Sequence, residues 1–367
     1  MRERLAALSM ELMALPGLAG HEDRVRARIA RELEAIGLAH RTDRLGNLVA
    51  TIPGAADAPS VMLVAHMDQL GFVVRKIEAD GFLRLERLGG VPERALAAQA
   101  VLLQIGEGRD RPGVIANKSH HATTPEEKYR VVPYQELYVD AGFDSAGAAR
   151  AAGVKIGTPV VYAPRAMMLG QHRLAGTAID DRAACAVAVE CARALAAGGG
   201  PTLHLAFSVQ EEFNLRGVLP AIRACAPDIV IQIDLVLATD TPDMSARGEV
   251  RLGDGPAISL YSFHGRGTLN GLIPHPALVA HFARTAEGAG VSLQRSAHVG
   301  ALTETSYIQL EGREGVACID LGFPMRYSHS ALEVCDLRDL EGLTRLLIEG
   351  IARIGPGFPL NRDEVRR

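Results

Sequence analysis

The sequence predicts an α/β protein in which a mainly parallel sheet, flanked by helices, is interrupted by a small β-rich module. Three observations lead there. Apolar strand runs alternate with amphipathic helices over residues 1–70 and again over 166–367, and that alternation builds a parallel sheet covered on both faces. Between 71 and 165 the texture changes to short alternating runs cut by Gly, Asp and Pro, with one helical stretch near 145–152, which is the pattern of a β module. A chain of 367 residues is also long enough for a second domain or a large insertion.

Each element follows from its local pattern. Residues 3–15 carry Leu5, Leu8, Leu12 and Leu15 at helical spacing before Pro16-Gly17 stops the turn. Residues 22–36 repeat the spacing with Val25, Ile29, Leu33 and Ile36, ahead of Gly37. A short strand is expected near 47–52, and the continuous apolar run at 61–67 reads as a buried parallel strand. Past the β-rich stretch, the pattern predicts a helix at 182–197 and a strand at 203–209. A helix near 213–224 and a strand at 229–236 come next, then a helix at 276–288, a strand at 316–320 and a last amphipathic helix at 338–353.

Composition excludes several function classes. The formal net charge is −4, and the scattered arginines form no basic arm, so nucleic acid and anionic membranes are not expected partners. No apolar run approaches the roughly 20 residues of a bilayer crossing. The N-terminal segment carries Glu3 and Glu11 at helical spacing, which suits an amphipathic helix better than a signal peptide. The 5 cysteines are odd in number and show no CxxC spacing, as expected of free thiols in a reducing cytoplasm.

Five polar clusters fall at or just after apolar strands, where open α/β sheets gather functional residues: 61–71, 176–185, 204–213, 229–240 and 322–330. They supply His66, Asp68, Asp180, Glu211-Glu212, Asp234 and His329. Each has an ordinary explanation when taken alone. Asp180-Asp181 could open a helix as N-cap and first-turn acids, Glu211-Glu212 could sit on a solvated loop, and His66 could be a hydrogen-bonded structural histidine. Together they present carboxylate and imidazole donors without thiolates, a set that suits Zn²⁺, Co²⁺ or Mn²⁺ in a catalytic site. Two imidazoles and three carboxylates can hold two metals when one carboxylate bridges, leaving a glutamate to act as general base. Asp240 competes with Asp234 as a ligand because both end one strand region, and the spacing from Glu212 favours Asp234. No GxSxG, HExxH or GxxxxGK[ST] motif occurs.

The motifs HMDQLGF (66–72), GTAIDDRAACAV (176–187), SVQEEFNLRG (208–217), IDLVLATDTP (233–242) and FPMRYSHSALEVCDLRDLE (323–341) resemble the M42 family of metallo-aminopeptidases over essentially the whole chain. The resemblance implies a zinc-peptidase-like catalytic domain (1–70 with 166–367) and an inserted β-rich dimerization domain (71–165). It implies that His66, Asp180 and Asp234 bind one metal and Asp180, Glu212 and His329 the other. Glu211 would be the general base, Asp68 would orient His66, and the Asp180–Asp181 peptide would be cis. The expected activity is release of N-terminal residues from short peptides in the cytoplasm, using two divalent ions per subunit. Self-association to a dimer, with dimers assembling into a dodecamer, belongs to the same expectation.

Two departures stand out. Gln69 replaces the glutamate that follows HMD in many members, and GALTETSYIQ (300–309) replaces their GGTDA segment. Thr303, Glu304 and His298 become candidates for substrate contact, and a deacylase or amidase acting on small N-substituted amino acids is the alternative activity. A catalytically idle metal-binding scaffold is a third reading, disfavoured by the presence of Glu211. His120-His121 reads as a surface or interface loop, and Cys185 as a thiol packed beneath the site.

Overall fold

A computed structural model of the chain describes residues 1–264 and 271–364. The first two helices, Arg2–Met13 and Asp23–Ala35, bury the leucine and isoleucine stripes that define them: Leu5, Leu12, Ile29 and Leu33 are fully enclosed. The main sheet runs in the order His40–Thr42, Leu48–Ile52, Leu203–Ser208, Val61–His66, Ile229–Leu237, Ala317–Arg326, Glu333–Asp336, Arg173–Gly176, Ala166–Leu169. Its four central strands, from Leu203–Ser208 to Ala317–Arg326, pair in parallel. The margins are antiparallel because hairpin-like returns there need no helical crossover.

The sheet's two faces have different cores. Residues 61, 63 and 65, with 229, 231 and 233, face a large core built with the Ile179–Leu195 and Leu337–Ala352 helices. The alternate residues Met62, Val64, Ala206, Val230 and Cys318 face a smaller core under the Leu219–Cys225 helix. Period-two alternation puts His66, Ser208, Gln232, Asp234 and Asp320 on that second face, further along the same strands. The face is apolar where the parallel strands begin and polar where they end.

The insertion is a closed barrel in the order Gly71–Ile77, Leu83–Leu88, Tyr138–Asp140, Arg111–Ile115, Ala100–Leu103, Pro159–Tyr162. It encloses its own cluster, including Phe72, Leu83, Val101 and Val139. Closure leaves no free sheet edge on the barrel.

Two elements differ from the sequence pattern. The helix expected at 213–224 shortens to Leu219–Cys225. Asn214 and Leu215 take left-handed conformations (φ 68° and 55°), turning the chain back after Glu211-Glu212 before Pro220 starts the helix. The strand expected at 316–320 runs on as Ala317–Arg326. Gly322 permits this: a Cβ there would lie 2.1 Å from the Asp234 carbonyl oxygen. Among the described residues, no helix is long and apolar enough to cross a membrane.

Candidate active site

The polar residues converge on a cleft of about 680 Å³ at the C-terminal ends of the central strands. His66 ends the Val61–His66 strand, and Asp234 sits within Ile229–Leu237. Asp180 opens the Ile179–Leu195 helix, with the Asp180–Asp181 peptide cis. His329 lies in the turn between Ala317–Arg326 and Glu333–Asp336. His66, Asp180 and Asp234 bring one donor atom each to within 4.8 Å of one another, and so do Asp180, Glu212 and His329. Asp180 is common to both sets. Its Oδ1 is 3.0 Å from His66 Nε2 and its Oδ2 is 3.6 Å from His329 Nε2.

The backbone around these groups is held in sparsely populated conformations. Ala178, two residues before Asp180, Gln210, next to Glu211, and His329 itself all have positive φ (55°, 57° and 67°). Non-glycine residues in that region cost about 1–3 kcal/mol each and persist only where surrounding structure imposes them. Hydrogen bonds supply the imposition. The Asp68 carboxylate accepts the backbone N–H of Glu211 on one oxygen and that of Glu212 on the other, both at 3.0 Å. Asp68 also approaches His66 Nδ1, at 3.4 Å from Oδ1 and 3.2 Å from its carbonyl oxygen. Glu333 performs the same service opposite, accepting the N–H of Asp180 at 3.0 Å and of His329 at 2.9 Å. Beneath them, Asp181 accepts the His66 N–H at 3.1 Å, and the buried Cys185 thiol donates to the His66 carbonyl.

The electrostatics are those of a cation site. Burial is the largest influence on Glu211 and Asp234 and drives both carboxyls well above their usual range, and it pushes Glu212 up to about 7. The neighbouring Glu212 carboxylate in turn raises His329 to about 9. Packing four buried acids together is unfavourable unless cations join them. No lysine or arginine among the described residues is paired with them. The adjacent Arg182 is fully buried but turns away, donating to the carbonyls of Leu12, Leu15 and Gly17 and to Gln69 Oε1. The donors present therefore fit divalent ions, which would displace the shared protons.

Other residues fall where the sequence left open their place. Asp240 pairs bidentately with Arg326, at 2.7 and 2.6 Å, and stands in neither donor set. Thr303 and His298 line the cleft. Glu304 does not: its carboxylate turns inward, accepting the Ser208 hydroxyl at 2.6 Å and the Val218 N–H at 2.9 Å, because the short Thr305–Ile308 helix draws it under the strand ends. Glu304, expected as a candidate for substrate contact, thus has both carboxylate oxygens engaged by Ser208 and Val218. Gln69 likewise faces Arg182 rather than the cleft. His120 and His121 are exposed in a single 3₁₀ turn and join no donor cluster. Glu333 escaped the sequence reading, although an acid flanked by apolar residues in LEVCDL was a signal for a buried carboxylate.

A two-set donor cluster at the parallel strand ends, buried at His66, Asp180 and Asp234 and half-buried at Glu212 and His329, beside an inserted barrel, defines a metal-dependent hydrolase fold. The M42 glutamyl aminopeptidase family matches residues 46–346, and the chain belongs to that family. The lysyl aminopeptidase of Pyrococcus furiosus is 30% identical over 343 residues, covering 92% of this chain and 94% of the relative. Among solved structures, the aminopeptidase APDkam598 of the archaeon Desulfurococcus kamchatkensis aligns with a TM-score of 0.90 at 32% identity, over 97% of both chains. The Pyrococcus horikoshii TET1 peptidase, which can assemble into a tetrahedron or a large octahedral shell, aligns with a TM-score of 0.83 at 26% identity, over 96% of this chain and 99% of its own. The protein is a peptide-bond hydrolase of the aminopeptidase class, a metal-dependent group.

Proposed function

We propose that this chain is a cytoplasmic aminopeptidase that removes N-terminal residues from short peptides with two divalent ions, Zn²⁺, Co²⁺ or Mn²⁺, held by the two donor sets. One observation carries the reading: the sets share Asp180 while Glu211, beside them, belongs to neither. Its Oε2 is 3.9 Å from His66 Nε2, so it stands next to the cluster while belonging to neither donor set. His66, Asp180 and Asp234 would hold one ion, and Asp180, Glu212 and His329 the other. Ions bound there supply polarisation of the scissile carbonyl and acidification of the attacking water.

The chain's own residues do the rest. Glu211 takes a proton from water as its oxygen attacks the carbonyl carbon. It then delivers that proton to the departing nitrogen as the C–N bond breaks. Asp68 sets the rotation of His66 and the placement of both glutamates through the contacts above.

Free thiols at all 5 cysteines fit a reducing compartment. Self-association through the barrel is supported by its exposed apolar residues: Tyr129 is 93% exposed, Ile156 62% and Val131 52%. The Pyrococcus horikoshii relative, which can assemble into a tetrahedron or a large octahedral shell, supports self-association, and a dimer assembling further into a dodecamer is the form proposed for this chain.

The test is hydrolysis of matched short peptides with free and N-acetylated termini by metal-loaded protein, alongside Glu211→Gln. Cleavage of the free forms alone, with a loss of about 10²–10⁴ in kcat in Glu211→Gln at unchanged metal content, is the expected result. Cleavage of only the acetylated forms would make the protein a deacylase instead.

A further inference from the structure

The cleft has a second polar region that the proposed chemistry does not use. Asp320 lies on the same face of the sheet as Asp234, and the strand register places Gly322, two residues further on, directly beside Asp234. At about 3.3 Å per residue, Asp320 is therefore about 7 Å deeper along the strands than the proposed ligand. It is 5% exposed, lines the cleft and belongs to neither donor set. Its oxygens accept one hydroxyl each, from Thr305 at 2.8 Å and Thr303 at 2.9 Å. No lysine, arginine or histidine among the described residues pairs with it.

Around Asp320 the sheet presents hydrogen-bonding groups without partners among the described residues. Ser259, on the strand Ala257–Phe263 that pairs antiparallel with Ala317–Arg326, is its cross-strand neighbour, and Ser262 on the same strand is the neighbour of His298 on the parallel strand Gln294–Val299. All three line the cleft. Among the described residues, the hydroxyls of Ser259 and Ser262, each 4% exposed, have no hydrogen-bond partner, and neither has His298 Nε2. Buried polar atoms are nearly always paired, so orphans gathered on one wall of a cleft mark a place completed by something that binds there.

We infer that Asp320, Ser259, Ser262 and His298 form the floor that receives the side chain of the peptide's N-terminal residue, and that the floor selects a cationic side chain, lysine or arginine. The inference rests on the aminopeptidase reading above. The scissile carbonyl belongs at the donor sets, so the first side chain is the substrate group near enough to reach this floor. Lysine carries an ammonium with three donors on a four-carbon stem, which matches one carboxylate and two hydroxyls at the end of a deep recess. A glutamate side chain would face the Asp320 charge at close range and be rejected. A norleucine side chain would fill the space and leave the floor unpaired, and sites built to bond a polar group discriminate strongly against analogues lacking it. Thr303 acts here through Asp320, fixing its carboxylate, rather than by touching the substrate amine.

The experiment compares kcat/KM of metal-loaded protein on Xaa-Ala-Ala peptides with lysine, arginine, norleucine or glutamate first. The lysine-to-norleucine ratio should exceed about tenfold in the native protein and fall by at least about tenfold in Asp320→Asn. If that variant does not fold, the same fall in ratio is expected of Ser259→Ala combined with Ser262→Ala. Norleucine or glutamate equalling lysine in the native protein would overturn the inference while leaving the aminopeptidase reading intact. So would an unchanged ratio in a folded variant. Failure to cleave any of the four peptides would instead overturn the aminopeptidase reading, and this inference with it.

Discussion

Replacing Asp68 by asparagine tests how the proposed base is held in place. In the native protein both carboxylate oxygens receive backbone N–H groups, from Glu211 and Glu212, at 3.0 Å. Asparagine keeps the shape but can accept only one of them, and its amide then points a donor at the other. Hydrogen bonds to a charged group contribute about 1.5–3 kcal/mol each, and a buried donor left unpaired costs about 1–3 kcal/mol. With Asp68 fully enclosed, the loss should be about 2–4 kcal/mol, a large fraction of a domain's roughly 5–15 kcal/mol. The glutamate pair should also shift, and a displacement of about 1 Å at a catalytic group lowers kcat by about 10²-fold. The assay pairs denaturant unfolding of metal-free protein with kcat measured at saturating metal. If Asp68 instead worked only by orienting His66, Asp68→Asn would weaken metal binding, and saturating metal would restore kcat fully. That restoration, with stability unchanged, would refute the backbone-clamp argument.

Two further outcomes follow from the site. Asp234→Asn should lower bound metal from two equivalents toward one, whereas Asp240→Asn should retain both and lose stability through Arg326, as read by elemental analysis and thermal melts; loss of an equivalent in Asp240→Asn alone would reverse the assignment. Burial pushes the Glu304 carboxyl from 4.5 up to about 7, so the folded state holds this proton more tightly than the unfolded chain. Its contribution to stability is complete below about pH 4.5 and lost as pH rises to about 7. Glu304→Gln should flatten that part of the unfolding profile, and because the side chain does not line the cleft, KM should stay within about twofold.

Much of the site was legible because its residue types are improbable where they occur. An uninterrupted run such as VMLVAH announces a buried parallel strand, and a histidine closing it stands at the C-terminal ends of the strands, where α/β proteins gather ligands. The acid pairs at 180–181 and 211–212 drew notice for the same reason. The shape of residues 213–218 was not legible, since EEFNLRG carries helical spacing while left-handed Asn214 and Leu215 turn the chain back. Nor was the length of the Ala317–Arg326 strand, whose continuation past Asp320 depends on Gly322 fitting against the Asp234 carbonyl.

Local pattern determined the α/β class, the β-rich interruption, the order of the elements and the set of donor residues, because periodicity and side-chain chemistry are properties of neighbouring positions. Only the tertiary structure decided which side chains face each other. Asp180 joins both donor sets, Asp240 is taken by Arg326, and Glu304 turns inward to Ser208 and Val218 instead of toward substrate. Glu333, 153 residues along the chain from Asp180, clamps its backbone. Those outcomes depend on strand register and crossovers between distant segments, which no local window of sequence contains.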